Sequence, residues 1–237
     1  MEILKDIIAI DLFLYLKKHN ALVISDIHIG YEESLNRRGI LIPRNNYSDL
    51  MLRLERALEK LKDIKQIIIN GDIIHEFGKL SRNEKELTNK LIVFLKKYAP
   101  VTIIEGNHDK ILRYILRSDV KIVKNIILGD IMITHGDKIE KNLKDIKTII
   151  IGHEHPAVVI TSGLRVEKYK CFLKGRYDWK NLIVTPSCNI LIEGTNVLNE
   201  RLLSPYLKKG NIKNFEAYIV EDKIYDFGKL KDLPEEN

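Results

Sequence analysis

Residues 67–75 read Ile67-Ile68-Ile69-Asn70-Gly71-Asp72-Ile73-Ile74-His75. A brief isoleucine run closed by Asn-Gly-Asp reads as a buried strand ending in a loop that carries a carboxylate and an imidazole. The pattern recurs along the chain. Leu22–Ser25 runs into Asp26-Ile27-His28, Val101–Ile104 leads to Gly106-Asn107-His108-Asp109, Ile131–Thr134 runs into His135-Gly136-Asp137, and Ile149–Ile151 into Gly152-His153-Glu154-His155. In α/β proteins, ligand and catalytic groups gather at the carboxyl ends of sheet strands, so these motifs are expected to converge.

The segments between the strands fix the rest of the architecture. Leu50, Leu54, Ala57, Leu58 and Leu61 form the apolar stripe of an amphipathic helix, and Leu87, Leu91, Phe94, Leu95 and Tyr98 repeat that spacing. Ser81 with Glu84 reads as a capping box for the second helix, which Pro100 closes. Strand–helix alternation implies parallel pairing with right-handed crossovers in the first half. After Asn125 strands dominate, which implies a second, more antiparallel sheet. The expected fold is α/β, a layered α/β/β/α sandwich of two mixed sheets flanked by helices, with residues 1–237 as one domain. Tyr218–Val220 and Lys223–Phe227 read as a closing hairpin, and Gly39–Asn46 as a surface loop.

Composition narrows the classes. A chain of 237 residues with 45% hydrophobic content can bury one substantial core. The 30% charged fraction, rich in Lys and Glu, leans towards a thermophile. Thirty-nine basic against thirty-three acidic residues give +6, compatible with nucleic acid as a partner, although the scattered lysines read mainly as a solvated surface. Cys171 and Cys188 are the only cysteines and lack C-x-x-C spacing, so neither a disulfide framework nor a structural zinc site is supported, and buried free thiols are the simplest account. The N-terminal apolar stretch is broken by Asp11 and has no basic leader, so neither a signal peptide nor a membrane span is expected, and a cytoplasmic location follows.

Six of the seven histidines lie in the strand-end motifs. Mixed imidazole and carboxylate donors suit a pair of divalent transition metals better than calcium. In an extended segment alternate side chains point the same way, so Asp26 with His28, and His153 with His155, are each expected to address one ion while Ile27 turns into the core. Asp72, following a glycine at a strand end, is the natural carboxylate to bridge two ions. His19 sits in a turn and receives no role, and Asp137 either holds a ligand histidine's free ring nitrogen or terminates a strand, the second being the plainer reading.

The order D-x-H, G-D-x-x-H, G-N-H-D, H and G-H-x-H over residues 26–155 resembles that of the calcineurin-like metallophosphoesterases. The resemblance implies two divalent metal ions, manganese foremost, with iron, nickel, cobalt or zinc as alternatives. It places Asp26, His28, Asp72 and His155 on one ion, and Asp72, Asn107, His135 and His153 on the other. It also implies a catalytic His108 oriented by Asp109, with His75 and Asn107 near the substrate phosphate. The activity implied is phosphodiester hydrolysis by water that the ions acidify, acting on nucleic-acid ends or cyclic phosphates. A phosphomonoesterase and a non-catalytic metal-binding scaffold are the alternatives.

Outside these motifs, Asp26–Glu33 with Gly39-Ile40 and Pro43, and Val184–Asn189 leading to Gly194, resemble small prokaryotic members, including phosphoesterases encoded beside DNA ligases or helicases. Residues 165–180 interleave Arg165, Lys168, Lys170, Lys174, Arg176 and Lys180 with Tyr169, Phe172, Tyr177 and Trp179. That composition suits either a nucleic-acid track or an antiparallel strand pair with inward aromatics and wet lysines, the second being the plainer reading.

Overall fold

The computed structural model describes residues 1–75, 81–116, 120–162 and 165–233. The first sheet runs in the order β1 (Glu2–Leu4), β2 (Ile7–Ile10), β3 (Phe13–Leu16), β4 (Ala21–Ser25), β5 (Gln66–Asn70), β6 (Val101–Ile104) and β7 (Lys121–Val123). Pairing is antiparallel from β1 to β4 and parallel from β4 to β7. The N-terminal meander is therefore a part of the sheet that the apolar pattern of residues 1–17 did not announce. Its tight turns place Asp6 and Asp11 in the left-handed region, at φ 62° and 53°, with no glycine to mark them.

The second sheet contains β8 (Asn125–Leu128), β9 (Ile131–Thr134), β10 (Thr148–Ile151), β11 (Pro156–Ser162), β12 (Arg165–Tyr177), β13 (Lys180–Val184), β14 (Thr195–Asn196), β15 (Glu216–Val220) and β16 (Ile224–Lys229). Its centre, β9–β10–β13, is parallel, and antiparallel strands flank it. The expected closing hairpin is β15–β16.

Period-two alternation divides the second sheet between two cores. Ile133, Ile150, Phe172 and Ile183 pack with the first sheet, while Met132, Ile149, Ile151, Leu173 and Leu182 pack outward with Tyr206, Leu207 and Phe215. The outer face of the first sheet is covered by two long helices. In α2 (Asn46–Lys60), after the short α1 (Tyr31–Arg37), the stripe of Leu50, Leu54, Ala57 and Leu58 is buried. In α3 (Arg82–Lys96), Leu91 and Leu95 are buried with Thr88 and Ile92, whereas Tyr98 lies beyond the helix and is exposed. Ser81 and Glu84 form the expected capping box. Over the second sheet, among the described residues, the helical cover is short: α4 (Pro205–Lys208) with 3-10 turns at Ile212–Asn214 and Leu230–Asp232. Both cysteines are free and buried. Among the described residues, no helix is long and apolar enough to cross a membrane.

Candidate metal centre

Asp26 and His28 follow β4, Asp72 follows β5, Asn107 follows β6, His135 follows β9, and His153 and His155 follow β10. Because β4–β6 are parallel neighbours, and so are β9 and β10, the loops of each set emerge at one sheet end.

The local backbone differs from the extended geometry expected of the D-x-H and H-x-H motifs. Asp26, His28, Asp72, His153 and His155 all lie in the left-handed region, with φ of 54°, 49°, 48°, 64° and 50°. With two left-handed residues flanking a central one, both side chains still face a common centre, and Ile27 is buried as expected. Each such residue costs about 1–3 kcal/mol and persists only where its surroundings over-determine it. Here the Asp26 N–H donates to the Gly71 carbonyl (3.2 Å), the His28 N–H to that of Asp72 (2.9 Å), and the Ile29 N–H to that of Ile73 (2.7 Å).

The side chains fall into two groups around one carboxylate. Asp26, His28 and His155 offer ligand atoms that all lie within 4.8 Å of one another, and so do Asp72, His135 and His153. Asp72 Oδ2 stands between the groups, 3.8 Å from His28 Nε2, 3.4 Å from His135 Nε2 and 3.9 Å from His108 Nε2. Asn107 Oδ1 lies 3.0 Å from His135 Nε2. Three glycines provide the room. A Cβ on Gly71 would sit 2.1 Å from His135 Nδ1, one on Gly106 2.2 Å from Asp72 Oδ1, and one on Gly152 2.4 Å from Asp26 Oδ2.

Electrostatics sort these groups by protonation. Burial, then the neighbouring His155, holds His28 well below the usual histidine range, and burial with His135 brings His153 down to about 4. Both present neutral imidazoles, the form that ligates metals. Burial opposes ionisation of Asp72, but the hydrogen bond and charge of His135 outweigh it and keep its carboxyl far below the ordinary range. For His135, burial opposes the charge, yet Asp72, Asp26 and Asp137 lift it to about 9. A positive charge is therefore favoured between these carboxylates.

His108 and His75 stand beside this cluster. Their rings stack at 5.8 Å and 23°, and His28, His75 and His108 form a further trio within 4.8 Å. His108 Nδ1 donates to the His75 carbonyl at 2.5 Å. Asp109, expected to orient that ring, directs its carboxylate elsewhere: Oδ1 accepts from the Ile73 N–H (2.9 Å) and Oδ2 from the Gly106 N–H (3.0 Å). It ties the Asp72 loop to the Gly106–Asp109 loop, and the His75 carbonyl orients the ring. Burial, then repulsion from Asp72, raises Asp109 to about 7.

Residues 19–155, more than half of the chain, match the family described as Calcineurin-like phosphoesterase. The chain belongs to that family. A 90-residue stretch is 34% identical to the DNA double-strand break repair protein Mre11 of Archaeoglobus fulgidus, covering 38% of this chain and 19% of that protein. Among solved structures, the Pseudomonas putida nuclease MPE superposes with a TM-score of 0.65 at 20% identity, over 93% of this chain and 94% of its own, a likeness of fold. The E. coli phosphoesterase Yfce gives a TM-score of 0.41 at 14% identity, over 88% and 97% of the two chains.

Calcineurin-like phosphoesterases use divalent metals, and the donor set here fits two such ions. Ligand nitrogens converge: His28 Nε2 and His155 Nε2 are 3.2 Å apart, and among the described residues the buried His28 Nδ1 has no hydrogen-bond partner. The stretch 165–180, by contrast, is structurally self-contained. Lys168 pairs with Glu200, Lys174 with Glu216, and Arg165 with Glu167, while Lys170, Arg176 and Lys180 donate to backbone carbonyls. Phe172 and Tyr177 are buried. Trp179 is 92% exposed, but it lies in the β12–β13 turn, at the start of β13 and about 16 Å of strand away from the loops. The stretch forms antiparallel pairs with β11, β13 and β15, with its basic side chains bonded within the protein.

Sequence reasoning assigned no role to Glu154, Ser187 or Asn189. Glu154 is fully buried and accepts from the Leu203 and Ser204 N–H groups, tying the H-x-H loop to the segment before α4. The motif Thr185-Pro186-Ser187-Cys188-Asn189 was visible in the sequence, but nothing there names its partner.

Proposed function

We propose that this phosphoesterase is a dinuclear, metal-dependent phosphodiesterase that acts on nucleic acid. The observation that carries the reading is Asp72 Oδ2, a single carboxylate oxygen within 3.4–3.9 Å of imidazole nitrogens from three separate loops. Asp26, His28, Asp72 and His155 would hold one ion, and Asp72, Asn107, His135 and His153 the other. When bound, such a pair supplies Lewis acidity to a phosphoryl oxygen and lowers the pKa of water to near neutral.

The remaining steps belong to the chain's own side chains. With Nδ1 fixed by the His75 carbonyl, His108 turns Nε2 towards the Asp72 carboxylate and the cluster, where it can donate a proton to the leaving oxygen. General acid catalysis of this kind contributes about 10²–10⁴-fold. His75, stacked on His108 and edge-on to Tyr31 at 4.8 Å, lines the same side and is assigned to the substrate phosphate together with Asn107. Manganese is the metal proposed, since oxygen and imidazole donors accept it and cellular availability decides among the candidates.

Support for a nucleic-acid diester comes from the relatives, one named as a nuclease and one as a DNA break-repair protein. Rates on bis-p-nitrophenyl phosphate, p-nitrophenyl phosphate and oligonucleotides, in manganese, test the reading. Preferential hydrolysis of the diester and of oligonucleotides is expected. Preference for the monoester would replace it with the phosphomonoesterase reading, and no hydrolysis of any substrate would leave a metal-binding scaffold.

A further inference from the structure

The Asp26-Ile27-His28 turn is strained at both ends, and its three carbonyl oxygens all meet one distant segment. Ser187 Oγ donates to the Asp26 carbonyl at 2.7 Å, and Asn189 Nδ2 donates to those of Ile27 and His28, each at 3.1 Å. These residues belong to a strap, 185–191, that leaves β13 and crosses behind the turn. The strap is ordered from within: the Asn189 N–H donates to Ser187 Oγ (3.1 Å) and the Leu191 N–H to Asn189 Oδ1 (3.0 Å). It is also moored to the end of β4, where Thr185 Oγ1 meets Ser25 Oγ (2.8 Å) and the Cys188 N–H reaches the Ser25 carbonyl (3.0 Å).

Lys170 closes the arrangement from below. Its half-buried side chain donates from Nζ to the Ser187 carbonyl at 2.9 Å and to the Asn189 carbonyl at 2.5 Å, the two strap residues whose side chains hold the turn. The side chains of Ser187 and Asn189 thus end on the backbone of the D-x-H turn, whereas Thr185 Oγ1 meets the Ile151 carbonyl at the end of β10 (3.0 Å). The loops of His135 and of His153 and His155 have other supports, among them the Gly152 N–H donating to the His135 carbonyl (2.9 Å) and Glu154 on Leu203 and Ser204. Loss of the strap should therefore be felt unequally by the two ligand groups.

We infer that Asn189, seated by Ser187 and Lys170, is a positioning residue that fixes the left-handed Asp26-Ile27-His28 turn and so sets the affinity of the ion held by Asp26, His28 and His155. The inference rests on the two-ion reading of the site. Groups that orient metal ligands typically govern affinity by 10–100-fold.

The test is calorimetric titration of Mn²⁺ into metal-stripped, full-length protein, with thermal melts of the same samples. His28→Ala and His153→Ala identify which binding step belongs to which ligand group. In Asn189→Ala the step missing from His28→Ala should weaken by about 10–100-fold, with the other step unchanged within about twofold; Lys170→Met should weaken the same step. Equal weakening of both steps, or a lowered melting temperature with neither step moved, would overturn the inference. If Asn189→Ala does not fold, Ser187→Ala removes only the bonds of that hydroxyl and carries the same expectation. Fewer than two steps in the unaltered protein would sink the two-ion reading itself, an outcome distinct from unselective weakening.

Discussion

Adding one methyl group at Gly106 should disable the centre without removing any ligand. A Cβ there would lie 2.2 Å from Asp72 Oδ1 and 2.4 Å from the Asp72 backbone nitrogen. Restoring ordinary contact, near 3.4 Å, requires a displacement of about 1 Å, and a backbone atom cannot swing aside as a flexible side-chain end can. The strain falls on the carboxylate that faces both ligand groups. It also reaches the His108 loop, because the same Oδ1 accepts the His108 N–H at 3.0 Å. A misplacement of 1 Å costs roughly 10²-fold in rate, and overpacking of this kind about 1–3 kcal/mol of stability. The assay is diester hydrolysis at saturating manganese, with metal content and thermal melting measured on the same samples. Gly210→Ala is the control, since its nearest new contact is 3.6 Å away. Two bound ions and activity within about threefold of the parent in Gly106→Ala would refute the reasoning.

His108→Ala should retain both ions and lose about 10²–10⁴-fold in turnover, whereas Asp72→Ala should lose at least one ion; full activity in the first or full metal content in the second contradicts the assignment. Burial holds Lys170 down at about 8, against 10.5 for the free side chain. The unfolded chain therefore carries a proton in that window that the folded chain has released. The cost of burying the ammonium is complete below pH 8 and is relieved as pH rises towards 10.5, amounting to about 3 kcal/mol. Urea melts of metal-free protein should show the stability difference between parent and Lys170→Met shifting in the parent's favour across that window, and a pH-independent difference would contradict it.

What the sequence disclosed, and what it hid, follows from the range of the interactions involved. Ile67–Asn70 and its counterparts were legible because a buried parallel strand needs an unbroken apolar run and ends abruptly at Gly or Asp. The candidate donors were legible for the same reason: each sits within a few residues of a strand end. The N-terminal meander was not, since Asp6 and Asp11 turn the chain where glycine or asparagine would have signalled a hairpin. Nor was the left-handed geometry of Asp26 and His28, which depends on partners at Gly71, Asp72, Ser187 and Asn189. Residues 165–180 had two readings of equal composition, and only the partners of Lys168, Lys170 and Lys174 decided between them. Asp109 looked like a neighbour of His108 in sequence, yet its carboxylate bonds reach Gly106 and Ile73.

The central claim is that two cations share the Asp72 carboxylate, and anomalous diffraction from manganese-soaked crystals tests it most directly. Two peaks about 3.5–4 Å apart are expected, one bounded by Asp26, His28 and His155 and the other by Asn107, His135 and His153, with Asp72 touching both. A single peak, or two that do not meet at Asp72, would contradict the account.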